Sequence, residues 1–185
     1  MKHLMIDLET MSSRHNAIVV SIGLTAFDKT GVEPSGLRVV VARDPQREYM
    51  RDESADTMAW WQKQAPEARH VFEEPQAPVM EALVTVRGYI EAETDGPKAV
   101  EVWGNGADFD LPIITSLFQD FKIAVPWKFY NHRCFRTLKN MMPKRYKIIT
   151  GELKNPLKHD CLADARWQAE VASRLLRSPN IALEQ

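Results

Sequence analysis

A chain of 185 residues, 44% hydrophobic and 26% charged, is long enough to close a sizeable core and too apolar to be disordered. Its net charge of -1 excludes a globally basic nucleic-acid binder but leaves room for a local basic groove. No apolar run approaches the roughly 18 residues of a membrane span, no signal-peptide pattern precedes Asp7, and Cys134 and Cys161 form neither a CxxC pair nor a disulfide framework, so a reducing cytoplasm is the expected setting.

Residues 3–8 read as a first strand and residues 17–28, "AIVVSIGLTAFD", as a second, broken by Lys29-Thr30-Gly31. Residues 37–42 make a third. Strands this close together predict an antiparallel meander. A short helix over 54–65 starts from Ser54 as N-cap. A clearer one over 78–92 repeats Val79, Leu83, Val86 and Ile90 at helical spacing. Thr94 to Pro97 is a turn, 99–103 a strand, and 109–121 a helix with Pro112 in its first turn. Residues 127–131 are expected as a fifth strand, 133–142 as a helix, 143–158 as a loop and 160–177 as the last helix. No repeat or linker interrupts this order, which predicts a single α/β domain over 1–185.

Three stretches carry chemistry. In "MIDLET", Asp7 and Glu9 lie two apart on the first strand, so their side chains share a face. Carboxylates that close repel unless one is protonated or a cation sits between them. Oxygen-seeking Mg²⁺ or Mn²⁺ suits such a pair. Taken alone, the pattern more often marks a strand end with solvated or Lys/Arg-paired acids. In "HDCLADARWQA", Asp164 opens the last helix between the small residues Ala163 and Ala165. His159 precedes that helix, and an imidazole with a reference pKa of roughly 6.5 suits a general base. The plainer reading makes His159 a surface residue and Asp160 or Asp164 a charge favoured by the helix dipole. In "WGNGADFDLPII", two glycines turn a strand end into a helix opened by Asp108 and Asp110, which is also how an ordinary β-to-α connection looks.

Together the three place acids where α/β folds put their sites. Asp7-Leu8-Glu9, then Phe109-Asp110, then His159 with Asp164 after four intervening residues, resemble the DEDD superfamily of 3′-to-5′ exonucleases in its histidine branch. "WGNGADFD" and "TMAWWQKQAPEAR" look closest to ribonuclease T-like exonucleases of the phage exodeoxyribonuclease A type. The resemblance implies an RNase H-like α/β fold, a mixed five-stranded sheet flanked by helices. It also implies two Mg²⁺ or Mn²⁺ ions per site and release of nucleoside 5′-monophosphates from a free 3′ end. Asp7, Glu9, Asp110 and Asp164 would be the metal ligands, and His159 the base. One departure stands out. Many relatives carry an asparagine four residues before the second-motif aspartate, where this chain has Gly106 and, one earlier, Asn105. Asp108 is therefore a rival to Asp110, which is preferred for its neighbour Phe109.

Between 133 and 158 lie Arg133, Arg136, Lys139, Lys144, Arg145, Lys147, Lys154 and Lys158 against one acid, Glu152. That excess fits a track for a phosphate backbone, or else a solvated loop. Arg136, Lys158 and Asn105 are candidate substrate contacts. Trp60 and Trp61 are adjacent on a helix and cannot share a face. One belongs to the core, and the other can stack on a base, with Trp61 the candidate. The implied partner is single-stranded nucleic acid with a free 3′ end and no membrane. Many relatives dimerise, which leaves a homodimer open. Nothing in these residues reports on a sugar 2′-OH, so RNA and DNA both remain open. The alternative function is a catalytically silent nucleic-acid-binding module, against which clustered acids facing a polyanion argue.

Overall fold

The structure, a computed structural model, describes residues 2–154 and 157–177. Five strands form one sheet in the order β3-β2-β1-β4-β5. The first three, β1 (His3–Thr10), β2 (Val19–Phe27) and β3 (Leu37–Val40), make the expected antiparallel meander. Strand β4 (Glu101–Gly104) joins β1 in parallel, and β5 (His132–Cys134) joins β4 in parallel. The mixed sheet of the sequence reading is therefore present.

Helices cover both faces. They are α1 (Asp44–Arg47), α2 (Ala55–Gln62), α3 (Pro66–Arg69), α4 (Val79–Glu93), α5 (Asp110–Asp120), α6 (Phe135–Met141), α7 (Pro143–Glu152) and α8 (Cys161–Leu176). Strand β1 shows how the faces divide. Leu4, Ile6 and Leu8 join the apolar cluster built on α4 and α5, whereas Met5 joins the one built on α6 and α8. By the period of two, Asp7 and Glu9 share the face of Met5 and look toward α8.

Helix α8 lies close on β1 and β2 because its sheet-side residues are small. Ala165, Ala169 and Ala172 are fully buried there. The matching gap in the sheet is Gly23, which pairs with Asp7 across the β1–β2 ladder. A Cβ at residue 23 would fall 2.2 Å from both the carbonyl carbon and oxygen of Cys161. Glycine thus sets the depth at which α8 starts, beside Asp7.

Two expectations need correction. Residues 127–131 are not a strand: Phe129–Asn131 is a 3-10 turn, and the edge strand forms at His132–Cys134 instead. The expected loop 143–158 is helical over Pro143–Glu152, where Pro143 occupies the first turn, a position that tolerates its missing N–H. Helix α7 has no fully buried residue, so its sequence carries no apolar stripe to reveal it. Among the described residues no helix is long and apolar enough to cross a membrane.

Candidate active site

At the α8 side of β1 opens a cavity of about 580 Å³ lined by Asp7, Glu9, His159, Asp164 and Gln168. Residues far apart in sequence meet here because the carboxyl end of β1 runs under the first turns of α8. The carboxylate oxygens of Glu9 and Asp164 and a ring nitrogen of His159 lie within 4.8 Å of one another. Asp7 is half-buried on the same wall, and its Oδ1 accepts a 2.7 Å bond from Gln168 Nε2.

Asp110 stands behind the wall rather than on it. It is 2% exposed and its charge acts on both Asp7 and Glu9, while Asp108 is exposed, so of the two acids Asp110 is the one that neighbours the site. Its Oδ1 accepts from Leu8 N–H at 3.2 Å and its Oδ2 from Asn105 N–H at 2.8 Å. Gly104 makes room for it, since a Cβ there would lie 3.0 Å from the Asp110 Cβ.

The electrostatics of the acids are those of a site short of positive charge. Burial, with the charges of Asp164 and Asp110, pushes Glu9 up to about 8. Burial raises Asp110 to about 6 against the opposing pull of the backbone N–H groups of Asn105, Leu8 and Asp110 itself. Asp7 is driven well above the usual carboxylate range by burial and by Asp110, Glu9 and Asp164. Each shift reports a demand for a proton or a cation. The oxygen-rich donor set, with one imidazole, fits a hard divalent ion. Two buried amide oxygens on the cavity wall, Asn105 Oδ1 and Gln168 Oε1, have no partner among the described residues, which suits the hydration shell such an ion keeps.

His159 is held from several sides. Its backbone is left-handed, at φ +63°, and its N–H donates to Asp164 Oδ2 at 2.8 Å. Its ring stands nearly perpendicular to that of Trp60, with centroids 5.0 Å apart. Cys161 is buried, and burial pushes its thiol up, so it offers the site no thiolate.

The substrate-side expectations fare unevenly. Trp61 is 4% exposed and packs with Met11, Ile18, Val20 and Val71, its indole N–H donating to Thr10 O at 3.0 Å. It lines the cavity nonetheless, beside Trp60, which at 40% exposure is the more open to solvent of the two. Arg136 is not on the cavity wall. It donates to the Asn105 carbonyl at 2.7 Å and so braces the loop after β4. Of the basic stretch, Lys158 lines the cavity, while Arg133 pairs with Glu101 at 2.7 Å and Lys139 lies over the rings of Phe135 and Tyr146. Gln168 escaped the sequence reading. Its signal was its place one helical turn after Asp164, on the same face of α8.

A mixed α/β sheet with two acids on its central strand, a third at a helix start and an acid–histidine pair at a closing helix is the arrangement of the DEDDh exonucleases, a class dependent on divalent metal. Within it the chain belongs to the family described as the 3′-5′ exoribonuclease Rv2179c-like domain, whose model matches residues 2–176. It is 28% identical to an exodeoxyribonuclease of Enterobacteria phage T4, over 86% of this chain and 84% of that protein. The fold is similar to the nuclease domain of 3′hExo, a DEDDh family member bound to rAMP, with TM-score 0.64, 11% identity and coverage of 95% and 92% of the two chains. Cell-death related nuclease 4 is similar at TM-score 0.63 and 11% identity, over 95% of this chain and 63% of that one. E. coli Exonuclease I in complex with a 5cy-dT13 oligonucleotide matches at TM-score 0.59 and 15% identity, over 98% of this chain and 42% of that one.

Proposed function

We propose that this exonuclease works from a free 3′ end of single-stranded RNA or DNA, releasing nucleoside 5′-monophosphates with the help of two Mg²⁺ or Mn²⁺ ions. The observation that carries the reading is the convergence of Glu9, His159 and Asp164 within 4.8 Å beside Asp7, with both Asp7 and Glu9 shifted upward. Asp7, Glu9 and Asp164 would hold the ions, and Asp110, whose oxygens already accept from backbone N–H groups, would add its charge to the set. When bound, the ions supply charge for the phosphate and lower the pKa of water.

The remaining steps belong to the chain's own side chains. A ring nitrogen of His159 takes the proton of the attacking water. Gln168 holds Asp7 by donating to Oδ1 without adding charge. Trp60 offers a face for the terminal base at the cavity mouth, and Lys158 attracts the phosphate.

The test uses matched RNA and DNA oligonucleotides, labelled at either end, in Mn²⁺. Stepwise shortening blocked by a 3′-phosphate but not by a 5′-phosphate, and lost in D7A, is expected. Shortening from the 5′ end, or D7A activity equal to the parent's, refutes the proposal. The ratio of the RNA and DNA rates assigns the sugar.

A further inference from the structure

One charged network beside the cavity includes none of the site acids above, although the charges of Arg38 and Asp160 act on Glu9 with opposite sign. Arg38, on β3, grips Glu74 with two guanidinium N–H groups, at 2.6 Å from Nη1 and 2.7 Å from Nη2. Its Nε donates to Asp160 Oδ2 at 2.8 Å. The other oxygen of Asp160 accepts from Ala163 N–H at 2.9 Å and caps α8. All three side chains are between 20% and 25% exposed, a setting in which a fork of hydrogen bonds is better sheltered than at the surface. Helix stability alone does not call for this, because Asp160 would cap α8 without Arg38.

What the network does reach is the residue before the cap. His159 sits in a left-handed backbone conformation that a non-glycine residue adopts only when its surroundings hold it there. Two attachments follow it in the chain: the Arg38 pair at Asp160, and the His159 N–H bond to Asp164. On the ring side stands Trp60. At this φ the turn presents the imidazole to Glu9 and Asp164, and its hold on that conformation is only as firm as these attachments.

We propose that Arg38 is a positioning residue for His159: by clamping Asp160 to Glu74 it fixes the turn that presents the imidazole to the cavity. The role rests on the reading of His159 as the base of the exonuclease reaction.

The test compares R38Q, D160N and the double variant with the parent. Asparagine still caps a helix, so D160N weakens the pair to Arg38 and leaves α8 capped. Both singles are expected to lower kcat by about 10- to 100-fold, the cost of a misplaced catalytic group. KM and calorimetric Mn²⁺ affinity should change by less than about twofold. The double variant should be no slower than either single, as for members of one network. R38K restores charge without the fork and should recover only part of the rate. A second readout needs no turnover: in protein with isotope-labelled histidine, the His159 ring resonances, identified by their loss in H159Q, should move in R38Q and D160N while those of the other histidines stay. If R38Q fails to fold, E74Q loosens the same fork from its other end.

Unchanged kcat in a folded R38Q, or unmoved His159 resonances, overturns the proposal. So does a rise in KM alone, which makes Arg38 a substrate contact. A parent inactive on every oligonucleotide whose His159 resonances still move with R38Q supports the clamp and overturns the exonuclease reading instead.

Discussion

Gly23 and Cys161 meet backbone to backbone: a Cβ on Gly23 would lie 2.2 Å from the Cys161 carbonyl. The contact joins the centre of β2 to the first residue of α8, and Gly23 is the ladder partner of Asp7. Because the obstacle is main chain, no side-chain rotation relieves it. G23A is expected to destabilise the protein by about 3 kcal/mol or more, the upper range of overpacking costs. That corresponds to a fall in Tm of about 6–12 °C for a chain of this size. It should also lower activity in whatever fraction remains folded, since α8 carries Asp164. Thermal melting and a rate per folded molecule check both; a G23A protein as stable as the parent contradicts the contact.

The acid cluster makes a prediction about pH. Glu9 has its pKa raised from 4.5 to about 8, and Asp110 from 3.8 to about 6. A group raised on folding binds its proton more tightly in the native state. Its stabilising effect is present below the unfolded value and is lost as pH rises through the folded one. Metal-free protein should therefore lose stability between about pH 4 and 8, first through Asp110 and then through Glu9. E9Q should flatten the upper part of that fall, and D7N should raise the metal-free Tm at pH 8 while abolishing activity. Millimolar Mg²⁺ or Mn²⁺ should raise the Tm of the parent at pH 8 by about 5 °C or more, and that of D7N much less. Melting curves in chelator and in metal across this pH range are the measurement. A metal-free Tm that is flat or rising from pH 5 to 8 would contradict the cluster.

The two tryptophans separate binding from folding. Trp60 is exposed at the cavity, so W60A should raise KM for oligonucleotides by about tenfold, within the roughly 1–3 kcal/mol of a base–aromatic contact, with little change in Tm. Trp61 is buried and bonded to Thr10, so W61A should cost about 3–5 kcal/mol of stability. Steady-state kinetics and denaturant melts on the pair decide it, and the reverse assignment of effects refutes the placement.

Much of this molecule follows from local pattern. The apolar runs of β1 and β2 and the helical stripes of α4 and α5 predict the sheet and its helices, because a strand buried on both faces reads as a continuous run and a helix buried on one reads as a stripe. The order of Asp7-Leu8-Glu9, Phe109-Asp110 and His159 with Asp164 resembles one family's motifs and so pointed to the acid set, whereas each stretch alone also reads as ordinary strand-end or helix-start charge. Helix α7 was missed because it lies on the surface, without a stripe to announce it.

Tertiary structure alone decided the rest. Gln168 reaches Asp7 across 161 residues of chain, and Arg38 reaches Asp160 across 122. Which tryptophan is the more open at the cavity and which basic residues stay clear of it also depend on how α2 and the helices after β5 settle on the sheet. Periodicity and spacing describe a segment's own faces, whereas these relationships exist only once two distant segments have been brought together by the burial of their apolar sides.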